Sequence, residues 1–194
     1  MRKFNKKKAL IFNTLQMYRK DRINYLENML TDSNKYNYFI GLKLVRGAYH
    51  IQEIERAKLK GYPCPVHTKK INTDKDYNKA LEICIKNINI ISVCAGTHNE
   101  ESSKLLIALL EKYNIPRDDK RIHFSQLLGM SDHISYNIAK AGFNVTKYVP
   151  YGPVKDVLPY LIRRAEENIS IAGQMNRELK NIIKEKKRRK RINH

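Results

Sequence analysis

Acidic residues are scarce in this chain: 19 Asp and Glu stand against 38 Lys and Arg in 194 residues, a formal net charge of +19. Read globally, that balance favours a polyanion as partner. Its distribution argues otherwise, because much of the excess sits at the two ends, in Arg2, Lys3, Lys6, Lys7 and Lys8 and in Lys184 with the run from Lys186 to Arg191. Such terminal runs are expected to be solvated tails, able to touch an anionic surface. Cysteine is also sparse. Cys64, Cys84 and Cys94 are an odd set without metal-type spacing, which excludes a disulfide framework and places the chain in a reducing compartment. No apolar run approaches the roughly 18 residues that span a bilayer, and no signal-peptide core follows Met1, so a soluble or peripherally attached protein is expected. No G-x-G-x-x-G turn follows any apolar run, which counts against a Rossmann dinucleotide site.

What is present is a folded α/β pattern. Hydrophobic residues make up 42% of the chain, too many for a disordered polypeptide. Strand-like runs at Ala9–Thr14, Tyr38–Val45, Ile90–Ala95, Arg121–Leu127 and Asn144–Val149 alternate with helix-period segments at Tyr18–Leu30, Ile51–Lys60, Asp76–Ile88 and Glu101–Tyr113. A further helix begins at Ser131-Asp132 and stops at Gly142, and Pro153 opens the last one. Serial βα units imply a parallel sheet, either doubly wound or a piece of a (β/α)8 barrel.

Polar and basic residues gather where these strands end: Gln16, Lys43 and Arg46, then Thr97, His98 and Asn99, then Gln126, then Lys147 and Tyr148. In a (β/α)8 barrel such positions ring the C-terminal mouth, where the chemistry is placed. The ring is rich in donors and poor in carboxylates, so its ligand is expected to be large and anionic. In the last helix, Tyr160, Arg163, Arg164 and Glu167 fall on one face at i, i+3, i+4 and i+7, flanked by Leu158, Leu161, Ile162 and Ala165. Two guanidiniums in a partly apolar setting form a clamp for a carboxylate, each offering a rigid donor fork.

Five segments together, Lys43-Leu44-Val45-Arg46-Gly47-Ala48-Tyr49, Gly96-Thr97-His98-Asn99, Phe124 to Met130, Lys147 to Pro153 and the Arg163-Arg164 helix, resemble proline dehydrogenase in order and spacing, over about Ala9 to Asn168. The resemblance implies a TIM-like (β/α)8 barrel, of which this chain holds the last five βα units. It implies FAD-dependent oxidation of L-proline to Δ1-pyrroline-5-carboxylate, with electrons passed to a membrane quinone. Arg163 and Arg164 resemble the pair that holds the proline carboxylate, Tyr148 the tyrosine beside the substrate ring and Leu127 an apolar neighbour. Tyr160 shares the clamp face, and Glu167 matches the helix glutamate that orients the clamp.

The flavin-contacting set is resembled by Gln16, Lys43, Val45, Arg46, Gly47, Ala48 and Tyr49. Lys43 stands where many bacterial members place an arginine near the reactive flavin nitrogen; lysine brings the charge without the planar fork. Thr68 and Lys70 resemble ribityl and phosphate contacts, and Thr97, His98 and Asn99 further FAD contacts. Lys43, Tyr148, Arg163 and Arg164 are thus the residues implied to serve the chemistry, and no metal site is implied. A location on the matrix side of the mitochondrial inner membrane is expected in a eukaryote, and a cytoplasmic, membrane-peripheral one otherwise.

The expected organisation is a basic lead over residues 1–8, the barrel portion over 9–173 and a basic tail over 174–194. A complete barrel runs to roughly 250 residues, so these residues are expected to be a fragment, inactive by itself. On the residues alone, two other classes stay open. One is a non-catalytic basic protein that binds nucleic acid or a membrane surface, although the internal basic residues track strand ends rather than forming a stripe. The other is a different phosphate-binding barrel enzyme, which would share the mouth but lack the clamp.

Overall fold

The computed structural model describes residues 1–170 and 183–189. Among them the elements run β1 (Phe12–Gln16), α1 (Arg22–Tyr36), β2 (Ile40–Val45), α2 (His50–Lys60), α3 (Lys70–Lys86), β3 (Ile91–Gly96), α4 (Glu100–Lys112), β4 (Ile122–Leu127), α5 (Asp132–Lys140), β5 (Val145–Tyr148) and α6 (Val154–Ser170). Residues 183–189 are also helical. The strands form one parallel sheet in the order β1-β2-β3-β4-β5. This is the alternating α/β architecture expected of a partial barrel. The chain divides into two compact units, Met1–Tyr148 and Val149–His194.

Strand positions follow the apolar runs closely, and the shifts have local causes. β1 begins at Phe12 rather than Ala9 because the fully buried Asn5 ties down the chain before it. Its Oδ1 accepts from the Leu10 and Ile11 N–H groups at 3.0 and 2.8 Å, and its Nδ2 donates to the Ile11 and Phe39 carbonyls, both at 2.9 Å. Residues 1–8, read as a lead, therefore take part in the first unit. α1 begins at Arg22 rather than Tyr18, since the Met17 and Tyr18 N–H groups donate to the Val45 and Arg46 carbonyls at 2.8 and 2.7 Å and extend the sheet instead. α1 ends at Asn37, whose left-handed backbone (φ 48°) turns its N–H back to the Ser33 carbonyl.

Strand alternation sorts the first unit into two faces. Leu15, Met17, Ile40, Leu42, Leu44, Ile91, Val93, Ala95, Ile122 and Phe124 point to the helices, where they meet Leu26, Tyr77, Leu81, Cys84, Ile85, Leu106, Leu110, Ile134 and Ile138 in one core. Phe124 is 1% exposed and packs edge-on to Phe143, ring centroids 5.7 Å apart. Phe124→Ala is expected to cost about 3–5 kcal/mol, the usual range for emptying a packed aromatic site. Thermal or denaturant unfolding of the variant checks this; a loss under about 1 kcal/mol would mean the site collapses around the cavity.

Candidate active site

The opposite face of the sheet carries Phe12, Thr14 and Gln16 from β1, Gly41, Lys43 and Val45 from β2, Ser92, Cys94 and Gly96 from β3, His123, Ser125 and Leu127 from β4, and Thr146 and Tyr148 from β5. Half of these side chains are small, and β3 contributes only small ones, Ser92, Cys94 and Gly96, so the middle of this face is a low floor. Lys43 lies in register with Thr14 on one side and Cys94 on the other, and Cys94 in turn with His123. The Lys43 side chain extends past Gly96 of β3, and its Nζ stands 5.0 Å from the centre of the Tyr148 ring. Gly96 lies beside that path: a Cβ there would meet Lys43 Cε at an ordinary 3.5 Å but would crowd Val45 Cγ1 and the Leu44 carbonyl oxygen, both at 3.0 Å. A cation near an aromatic face at this separation is attracted to it.

Of the expected residues, Gln16, Lys43, Val45, Leu127 and Tyr148 share this face. Cys94 lies among them, but burial pushes its thiol up, against the opposing effects of the Ser125 hydroxyl and the Lys43 charge. It packs as a neutral group rather than a thiolate. Gly47 makes the turn after β2 with φ 122°, and a Cβ on it would drive into the Tyr18 ring, so only glycine fits. Ala48 and the 41% exposed Tyr49 follow in the same turn.

Other expected residues lie on the helix side of the strand ends. Arg46 is turned inward: its Nε donates to Asp74 Oδ1 at 2.6 Å, Nη1 to Thr97 Oγ1 at 2.6 Å and Nη2 to Ser102 Oγ at 2.8 Å. Its guanidinium carbon stands 4.4 Å from the centre of the Tyr77 ring. Asp74 Oδ2 accepts from Lys70 Nζ at 2.5 Å. Burial opposes the charge on Asp74, but Lys70 and Arg46 overcome it and hold the carboxyl below its usual range. Thr97 Oγ1 accepts from the Asn99 N–H at 3.0 Å, and Asn99 caps α4 by accepting from the Ser102 N–H at 2.9 Å. His98 Nδ1 is 3.0 Å from Ser131 Oγ. Thr68 is exposed, two residues ahead of α3.

Two strand-end residues placed in the mouth by the sequence pattern do different work. Gln126 is buried on the helix side, donating to the Thr97 carbonyl at 3.2 Å and accepting from Ser135 Oγ at 2.9 Å. Lys147 clamps the β4–α5 turn, donating to the Met130 carbonyl at 2.8 Å and to Asp132 Oδ1 at 2.7 Å. The sequence pattern does not reveal that Asp74 and Ser102 bind Arg46. Their available signals are the i, i+4 spacing of Lys70 and Asp74 and the Asn99-x-x-Ser102 cap.

In the second unit, α6 carries Pro159, Tyr160 and the adjacent arginines. The half-buried Arg164 has its guanidinium carbon 5.7 Å from the Tyr160 ring centre. The side chains of Arg163 and Glu167 lie outside the described residues, as do residues 171–182 and 190–194, which take in most of the basic tail.

The family model for proline dehydrogenase matches residues 1–177. The chain belongs to the proline dehydrogenase family. It is 39% identical over 199 residues to mitochondrial proline dehydrogenase 1 of Drosophila melanogaster, covering 97% of this chain and 29% of that protein. With mitochondrial proline dehydrogenase 1 of Dictyostelium discoideum it shares 41% identity over 194 residues, covering 96% and 34% respectively. Among solved structures it is similar to proline utilization A from Bdellovibrio bacteriovorus inactivated by N-propargylglycine. There the TM-score is 0.79 and the identity 28%, over 84% of this chain and 17% of that one. The chain thus spans about a third of these two curated relatives.

Proposed function

We propose that this chain is the part of an FAD-dependent proline dehydrogenase that holds the cofactor and the substrate carboxylate, in an enzyme oxidising L-proline to Δ1-pyrroline-5-carboxylate. The observation that carries the reading is the floor crossed by Lys43: small residues, a glycine beneath the lysine stem, and one cation held at the Tyr148 ring. A planar, electron-accepting ring system fits such a floor, since bulky strand residues would otherwise fill a barrel interior. Gln16, Val45 and the turn Gly47-Ala48-Tyr49 border it, and Thr68, Lys70, His98 and Asn99 belong to neighbouring segments rich in donors. These residues would hold FAD, with Thr68 and Lys70 at its ribityl and phosphate part.

Bound flavin supplies the hydride acceptor for oxidation at the ring carbon beside the proline nitrogen. The chain supplies position and charge. Arg163 and Arg164 engage the carboxylate through their donor forks, with Tyr160 and Glu167 on the same helix face. Tyr148 and Leu127 give the substrate ring an aromatic and an apolar neighbour. Lys43 would supply a positive charge to the reduced flavin, a preorganised electrostatic contribution. In a eukaryotic source the protein is mitochondrial, in keeping with the names of its relatives, and would work on the matrix side of the inner membrane, and otherwise peripherally on the cytoplasmic membrane; a quinone would take the electrons. Among the described residues no helix is long and apolar enough to cross a membrane.

The test is a complete barrel carrying these residues, purified with its native chromophore. Flavin absorbance that bleaches on addition of L-proline under anaerobic conditions is the expected result. A colourless protein that takes up no added FAD would refute the reading, and would favour another phosphate-binding barrel enzyme.

A further inference from the structure

Three of the segments assigned to the cofactor converge on one guanidinium. Arg46 begins the turn that continues through Gly47, Ala48 and Tyr49. Its Nη1 holds Thr97, whose Oγ1 also fixes the Asn99 N–H. Its Nε holds Asp74, which holds Lys70 at the start of α3. Its Nη2 holds Ser102 in the first turn of α4, and Ser102 donates on to Asn78 of α3 at 2.7 Å. The Arg46 side chain is 21% exposed, Asp74 is 20% exposed, and the Tyr77 ring beneath them is fully buried.

We propose that Arg46 is a positioning residue, which sets the relative placement of the turn after β2, the segment after β3 and the N-terminus of α3 without itself touching the cofactor, with Asp74, Thr97 and Ser102 as its fixed partners. The inference rests on the flavin reading only in naming what those segments hold. The physical ground is the planar fork. Three donors leave one rigid group in three directions, so the distances among Asp74, Thr97 and Ser102 are fixed by the guanidinium's own dimensions. Lysine keeps the charge but presents a single nitrogen on a flexible stem, and cannot span the three acceptors. A charge contact to a phosphate would tolerate lysine; a three-way strut does not.

The experiment uses the 194-residue chain with FAD and riboflavin as probes, comparing the parent with Arg46→Lys and Ser102→Ala. Flavin fluorescence gives affinities, and amide hydrogen exchange is followed without any flavin. Arg46→Lys and Ser102→Ala are each expected to weaken FAD binding roughly 10-fold, the scale of a lost charge-assisted bond, with a smaller effect on riboflavin. In Arg46→Lys, exchange rises together at 47–49, 70–73 and 97–99, while the amides of β3 and β4 keep the parent's protection. Two results overturn the proposal: Arg46→Lys binding FAD as tightly as the parent, or faster exchange confined to 47–49. If the parent chain binds no FAD, the flavin reading is decided by the complete barrel, and the exchange pattern alone decides the strut.

Discussion

Arg163→Ala or Arg164→Ala, made in a complete barrel, is expected to weaken proline binding roughly 10- to 150-fold, the equivalent of one charge-assisted contact worth about 1.5–3 kcal/mol. Flavin content stays near that of the parent, because the residues assigned to the cofactor lie in the first compact unit and the arginines in α6 of the second. Adjacent arginines sit about 100° apart around a helix, so both can serve one planar carboxylate only if each contributes its own fork. Arg→Lys at either position recovers charge without the paired geometry and is expected to restore little. Steady-state kinetics against L-proline, with flavin absorbance measured on the same samples, checks all of this. Unchanged affinity in both alanine variants would remove the clamp from the mechanism.

The 194 residues by themselves are expected to show no proline-dependent reduction of a dye acceptor. Five parallel strands do not close an eight-stranded barrel. Among the described residues β1 has a neighbour only in β2, and its start is exposed: Leu10 by 58%, Ile11 by 47% and Phe12 by 47%. An apolar unpaired edge of this kind invites association. The small-residue floor that borders Lys43 is likewise open to water, which weakens every electrostatic effect exerted there. Dye reduction above the no-proline background by the purified chain would overturn the expectation and imply that copies of the chain assemble a working site.

Much of the fold is legible in the sequence because each strand is a compact apolar run and each helix a 3.6-period segment, so the sheet and its order follow from local signals. What escapes is set by side chains acting at a distance. No local pattern announces that Asn5 will satisfy four backbone partners and delay β1, nor that α3 will begin at Lys70, well before its apolar period is evident at Ala80 and Leu81. The candidate site divides in the same way. Gln16, Lys43, Val45, Leu127 and Tyr148 come to one face because strand alternation puts them there. Arg46 and Gln126 are polar residues at strand ends too, yet their parity turns them toward the helices, where they bind Asp74, Ser102 and Ser135. Position along a strand tells how near a residue is to the mouth; parity tells which side of the sheet receives it.

Strand order in this sheet repeats chain order throughout the described residues. On a ribosome emitting about 5–20 residues per second, each strand therefore emerges to find its one earlier neighbour already made. Every pairing closes one connection between consecutive strands, with one helix or, between β2 and β3, two, and its entropic cost grows only slowly with length. α3 can cover Leu44 and Val93 before Ile122 has left the tunnel. Assembly of the sheet is thus vectorial, a growing edge that accepts one strand at a time and never waits on a distant segment to supply the next.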